Sequence, residues 1–291
     1  MLFIDLYVTD HRRGKITLKA SLIWSAVWIA TALIFNLFLY FYLEDGKQKA
    51  LEFLTGYIVE KSLSVDNLFV FLMIFSMMNI HSENQPHILK WGILSAIVFR
   101  IIFILLGVTL LNLFHPIIYV FAVILLFAAY KMAFGKAQKL DVDNNLLIRF
   151  FKNNFKLDPN YQGKKFFIKV NGKNYITTTF LAFLLIESSD IVFAVDSIPA
   201  IIAITKDTFI IISSNIFAIL GLRALFFALS GLVDLFVYLK YGVAVVLFYV
   251  GIKMLISDFY KIPTEISLII IILCLSISIL LSIVKRRRFQ H

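Results

Sequence analysis

The sequence predicts an all-α fold: a polytopic bundle of transmembrane helices containing two inverted three-helix repeats, with flanking helices at either end. Three observations predict it. Apolar runs long enough to cross a bilayer recur along the chain, basic residues crowd into alternate loops, and one set of motifs occurs twice in the same order.

The apolar runs come first. The chain is 60% hydrophobic, only 16% charged, and has a mean hydropathy of +0.89. A soluble domain of 291 residues with this composition would expose too much apolar surface to stay dispersed. Runs of this length point to helices rather than barrel strands. The spans expected are 20–43, 50–78, 90–112, 115–134, 176–204, 208–231, 236–257 and 264–284, each with the roughly 20 residues a bilayer needs. They divide the chain into five parts. Residues 1–49 are an N-terminal stub, "MLFIDLYV", and the first span; 50–134 form one three-helix repeat. Residues 135–175 are a loop, 176–257 the second repeat, and 258–291 the last span with a basic tail.

With eight spans, 19 Lys and Arg lie outside the membrane on the side of the N-terminus, against four on the other. That bias makes the basic side cytoplasmic, with the large loop and the C-terminus inside. The net charge of +10 is therefore a topology signal, and no nucleic-acid partner is expected. Within the 135–175 loop, "LLIRFFKNNF" has the spacing of an amphipathic helix lying on the leaflet. "KKFFIKVNGKNYITT" sets Asn171-Gly172 between two β-rich runs, a hairpin signal. Besides membrane lipids, membrane-protein partners would dock through this loop.

The duplication is legible in three places. Residues 119–132 and 241–254 share Tyr, Ala, Val, Leu, Lys and Met at six aligned positions. "AIVFRIIF" around Arg100 resembles "ILGLRALF" around Arg223. "VDNLF" and "VDSIP" match at Val65-Asp66 and Val195-Asp196, each preceded six residues earlier by an acid, Glu60 or Asp190. Each half reads acid helix, Arg helix, Lys-Met helix. Three helices is an odd number, so the second half enters the membrane from the opposite side, as in secondary transporters whose site lies between the halves.

A charged residue at the centre of a span costs roughly 2.5–3.5 kcal/mol on insertion scales. Glu60, Asp66, Glu187, Asp190 and Asp196 are thus expected to have a function. Lys61, Arg100 and Arg223 can balance part of this charge, leaving a surplus that suits a cation. Asn67, Ser62, Ser64, Ser188, Ser197 and Asn215 add neutral oxygens. Glu187 and Asp190, three apart, share a helix face, whereas Asp190 and Asp196 stand about 240° apart on a straight helix. Pro199 cannot donate to the carbonyl of Val195, so a broken helix is expected there. With one cysteine, Cys274, and no intramembrane His, the ligands available are oxygens, which suit Mn²⁺, Mg²⁺ or Ca²⁺. Desolvated carboxylates can also exchange protons for metal. No P-loop is present, no cofactor is expected, and the chain is read as a carrier rather than an enzyme.

"FLTGYIVEKSLSVDNLFVFLMIF", "ESSDIVFAVDSIPAI", "SNIFAILGLRALFF" and "GIKMLISDFYKIP" resemble the TerC family, nearest its Alx-like branch, over almost the whole chain. The resemblance implies a polytopic inner-membrane protein of the wider LysE-type transporter group, linked to manganese export and historically to tellurium resistance. It carries the acidic motif residues over to Glu60, Asp66, Glu187, Asp190 and Asp196, with Asn67, Ser188 and Ser197 in the same motifs. It also implies a complete helix ahead of "DHRRGK", where this chain has only "MLFIDLYV". The expected function is export of a divalent cation, Mn²⁺ first, in exchange for protons. Two other readings stay open: a membrane-protein assembly or insertion factor, and tellurite-linked oxyanion handling by Arg100 and Arg223.

Overall fold

The structure, a computed structural model, describes residues 18–114, 116–134, 149, 155–158, 161, 163–170, 172–230, 238–260 and 262–289. The side chains of Asp66 and Asp196 lie outside that description, as does almost all of the "LLIRFFKNNF" segment.

The described chain is a helical membrane bundle with a small sheet at one end. The first four helices are α1 Leu18–Tyr42, α2 Gly46–Met77, α3 Gln85–Leu113 and α4 Ile117–Phe134. Strands β1 Lys156–Asp158, β2 Phe167–Val170 and β3 Lys173–Thr177 follow. Five more helices complete the chain: α5 Thr178–Ile202, α6 Thr208–Ile219, α7 Leu222–Ser230, α8 Leu239–Leu255 and α9 Thr264–Phe289. Among the described residues, α1, α3, α4, α5 and α9 are each long and apolar enough to cross a membrane, and α6 with α7, bent at a short break, meets the same measure only as a pair. The two remaining expected spans are helices too. Glu60, Lys61 and Asp66 interrupt the apolar stretch of α2, and α8, at 17 residues, is at the short end of what a bilayer needs.

Two expectations about breaks are corrected. Helix α5 runs without interruption through Pro199 to Ile202. Proline there removes a donor only three residues before the helix ends, where few intrahelical bonds remain to be lost. The break falls instead in the expected 208–231 span, which bends by 40° between Ile219 and Leu222. Gly221 makes that bend with φ +77°. A Cβ at Gly221 would stand 2.6–2.8 Å from Trp28 of α1, so the ring occupies the space a side chain would need.

Helices α5 and α6 begin with side-chain caps. Thr177 accepts from the Phe180 amide at 3.2 Å, and Asp207 accepts from the Phe209 and Ile210 amides at 2.9 and 3.3 Å. In the sheet, ordered β1-β3-β2, β2 and β3 pair antiparallel across Asn171 and Gly172, while β1 joins β3 in parallel. That third strand had no signal in the sequence: three residues carry no readable alternation. The sheet sits over the ends of α2, α3 and α5, where Phe75, Ile88 and Ile176 share one apolar cluster.

Packing between helices is crosswise. Helix α2 lies on α6, α3 on α5, and α4 on α8, with α2 and α5 also in contact. Helix α5 therefore packs against α3, which carries Arg100, while α2 packs mainly on α6 and less extensively on α7, which carries Arg223. Helix α5 is mostly buried, whereas α1, α4 and α9 turn large side chains such as Phe41, Phe127 and Leu280 outward, the surface a lipid phase requires.

Candidate functional site

Three charged residues mark the middle of the bundle. Glu60, Arg100 and Asp190 each lie within two residues of the centre of their helices, α2, α3 and α5. Their exposures are 0%, 2% and 9%. Arg100 Nη1 donates to Glu60 Oε1, which also accepts from Ser64 Oγ at 3.0 Å. The same Nη1 donates to Asn215 Oδ1 at 3.1 Å, and Nη2 lies 3.8 Å from Asp190 Oδ1. Asn215 is itself oriented by donating Nδ2 to the Ile211 carbonyl at 2.9 Å. One guanidinium thus ties together α2, α3, α5 and α6. Its planar fork of donors suits it to several oxygens at once, as a lysine ammonium would not be.

Beside this cluster is a cavity of about 20 Å³, enough for roughly one water. Its polar wall comprises Ser64, Asn67, Arg100, Glu187, Asp190 and Arg223; the rest is apolar, including Leu68, Phe71 and Ile93. Glu187 is 5% exposed; the neighbouring Ser95 hydroxyl donates to the Trp91 carbonyl at 2.8 Å, and among the described residues no hydrogen bond of normal geometry reaches either Glu187 carboxylate oxygen. The same holds for Glu60 Oε2 and the buried Ser197 hydroxyl. Gly92 lets α3 approach this point, a Cβ there falling 3.5 Å from Glu187 Oε1. A buried carboxylate oxygen without a donor is costly unless it is protonated, hydrated or ligated.

The other expected site residues divide. Lys61 is not the counter-ion of Glu60. Its Nζ donates to the carbonyls of Ala218 and Leu220, at 3.0 and 3.3 Å, where α6 ends. Consecutive residues on a helix point about 100° apart, so adjacency in sequence sends Lys61 to a different neighbour. Ser62 and Ser188 donate to the carbonyls of Ile58 and Leu184 one turn back, at 2.7 and 2.6 Å. Asp66 and Asp196 have their backbones in α2 and α5. Among the described residues no three His, Cys, Asp or Glu side chains converge into a ready metal cage.

One polar cluster was missed by sequence reasoning. At the bundle end opposite the sheet, Glu52 accepts from Thr205 Oγ1 at 2.5 Å and Gln48 Nε2 at 2.7 Å. Gln48 also donates to Thr264 Oγ1 at 3.3 Å. Nearby, Lys253 is buried and donates to Ser267 Oγ at 3.0 Å, which is also bonded to the Tyr249 hydroxyl at 2.9 Å. Glu52 lies eight residues before Glu60 on one face of α2, the only trace the sequence carried. Between them Gly56 meets α6 so closely that a Cβ would lie 3.0 Å from Ser214 Oγ. This contact separates the end cluster from the central one.

A many-helix membrane bundle with buried charge at its middle defines the class: a polytopic membrane protein with a polar centre. Residues 45–290 match the family described as integral membrane protein TerC, and the chain belongs to that family. It is 45% identical over 287 residues to the uncharacterized membrane protein STKORF319 of Myxococcus xanthus, covering 99% of this chain and 89% of the relative. It is 44% identical over 275 residues to Alx of Escherichia coli strain K12, provisionally named a membrane-bound redox modulator, covering 92% and 86%. A membrane protein of Rickettsia felis is 39% identical over 291 residues, covering 100% and 96%. No solved structure matches.

Proposed function

We propose that this protein is a secondary transporter, of the LysE type, that exports a divalent metal cation, Mn²⁺ first, in exchange for protons. It is a carrier rather than an enzyme and needs no cofactor. One observation carries the reading: Glu187 and Asp190 line a small buried cavity near the helix centres, Glu60 is buried behind Arg100 beside it, and among the described residues three oxygens of Glu60 and Glu187 have no hydrogen-bond donor. A hard divalent cation answers that arrangement. An oxyanion does not, because Arg100 is already engaged by Glu60 and Asn215. The crosswise packing of the acid and Arg helices supports an inverted-repeat relation between 50–134 and 176–257. The 19-to-4 basic bias supports an orientation in the inner membrane with the 135–175 loop and C-terminus in the cytoplasm. The redox role in the relatives' name would come to this chain through metal movement, since a lone Cys274 in α9 can form no internal thiol pair.

The test is transport by the purified protein in proteoliposomes, followed with Mn²⁺ under an imposed proton gradient. The expected result is Mn²⁺ movement driven by the gradient and abolished by Asp66→Ala or Asp196→Ala. Equal Mn²⁺ movement in those variants and the parent would reject the reading.

A further inference from the structure

We propose that the Arg100 guanidinium is a tethered stand-in for the transported cation: it occupies Glu60 and faces Asp190, and it must leave them when a divalent ion is taken up. This rests on the transport reading above and adds the device by which the unloaded site is kept neutral.

Four observations carry it. First, Arg100 holds the oxygens a cation would use, bonded to Glu60 Oε1 and 3.8 Å from Asp190 Oδ1. Second, it stands between the cavity and Glu60. Among the described residues the cavity wall includes Arg100 and Asp190 but not Glu60, so moving the guanidinium aside would open Glu60 to the cavity. Third, the space is too small for both cations. About 20 Å³ admits roughly one water, so an incoming ion arrives stripped of its hydration shell and needs carboxylate oxygens at once. A metal ion and a guanidinium on the same oxygen repel each other strongly in a medium of low dielectric constant. Fourth, ligands stand ready on the cavity side: among the described residues no hydrogen bond of normal geometry reaches either oxygen of Glu187, which is 5% exposed.

Helix α3 packs closely on α5 on both sides of Arg100: a Cβ at Gly92 would touch Glu187 and Ile186, and one at Gly107 would crowd Ile198 and Ile202. Release of Glu60 is therefore assigned to the Arg100 side chain, which has several rotatable bonds between backbone and guanidinium. Asn215 on α6 holds the resting position as a positioning residue.

The consequence is a split between two modes of transport. On the metal-free return leg the carboxylates must be compensated, by the exchanged protons and, at Glu60, by Arg100. A loaded carrier is compensated by the metal in both directions. In proteoliposomes with the full chain and radioactive Mn²⁺ as probe, Arg100→Gln is expected to lower net efflux at least about tenfold. Mn²⁺–Mn²⁺ exchange should stay within about threefold of the parent, and equilibrium Mn²⁺ binding should tighten about tenfold because the internal competitor is gone. Arg100→Lys keeps the charge and should recover part of net efflux. If Arg100→Gln fails to fold, Asn215→Ala, which only loosens the guanidinium, should still tighten Mn²⁺ binding about threefold. Loss of exchange and net efflux in equal measure with unchanged binding would overturn the proposal, as would no change in either. A parent protein that neither binds nor moves Mn²⁺ would overturn the transport reading itself, and this inference with it.

Discussion

Arg100 and Glu60 form an ion pair at the middle of the bundle with almost no exposure to the surroundings, the carboxylate at 0% and the guanidinium at 2%. Breaking such a pair from one side is far worse than removing it whole, because the survivor remains a buried, uncompensated charge; single removals cost about 3–5 kcal/mol. The two sides are unequal here. Glu60→Gln leaves Arg100 near Asp190 and bonded to Asn215, whereas Arg100→Gln leaves two acids with no cation between them. Thermal unfolding in detergent should therefore rank Arg100→Gln below Glu60→Gln. The double variant should be more stable than Arg100→Gln alone. Simple additivity of the two losses would mean that the pair is not coupled.

Lys61 offers a sharper contrast, since sequence adjacency and geometry assign it different partners. Its bonds to the carbonyls of Ala218 and Leu220 place a positive charge on the C-terminal end of α6, where helix dipole and orphan acceptors both favour it. Lys61→Met should cost about 1 kcal/mol. Combined with Glu60→Gln, the effects should add to within about 0.5 kcal/mol, as for residues that share no partner. Strong coupling in that double-mutant cycle would restore Lys61 as the counter-ion of Glu60.

These cases show why part of the site was readable and part was not. Glu60, Glu187 and Asp190 stood out because an acid inside an apolar run has few harmless explanations, and Arg100 because it interrupts another such run. The helices were legible for the same reason: their signal is local. Partner choice is not local. Glu52 meets Thr205 across 153 residues of chain, and Arg100 meets Asn215 across 115, separations about which no spacing rule speaks. The break was misplaced because proline announces itself in any context, whereas Gly221 acquires its role only from the tryptophan folded against it.

The end cluster around Lys253 yields a prediction of sign. A buried ammonium that donates to Ser267 is expensive to strand. Ser267→Ala removes the acceptor and leaves both Lys253 and Tyr249 short of a partner, at a cost of about 1–3 kcal/mol. Lys253→Met/Ser267→Ala replaces both polar groups with apolar ones and should lie closer to the parent than Ser267→Ala alone. Melting temperatures of the three proteins check this; a double variant less stable than Ser267→Ala would show that Lys253 has another essential bond.

Gly221 and Trp28 provide the last test, because two distinct costs can be separated there. Gly221→Ala places a Cβ on a residue with φ +77°, worth about 1–2 kcal/mol for a left-handed conformation. It also drives that carbon to 2.6–2.8 Å from the Trp28 side chain, an overpacking that adds about 1–3 kcal/mol. Trp28→Ala removes the obstacle but sacrifices a ring that is 4% exposed, at about 3–5 kcal/mol. In the Trp28→Ala background, Gly221→Ala should therefore cost only the backbone part, about 1–2 kcal/mol. Its full cost in the parent should be roughly twice that. Unfolding curves of the four proteins measure the difference directly. An equal cost in both backgrounds would mean that the ring yields freely, and that the bend between α6 and α7 depends on the glycine backbone alone.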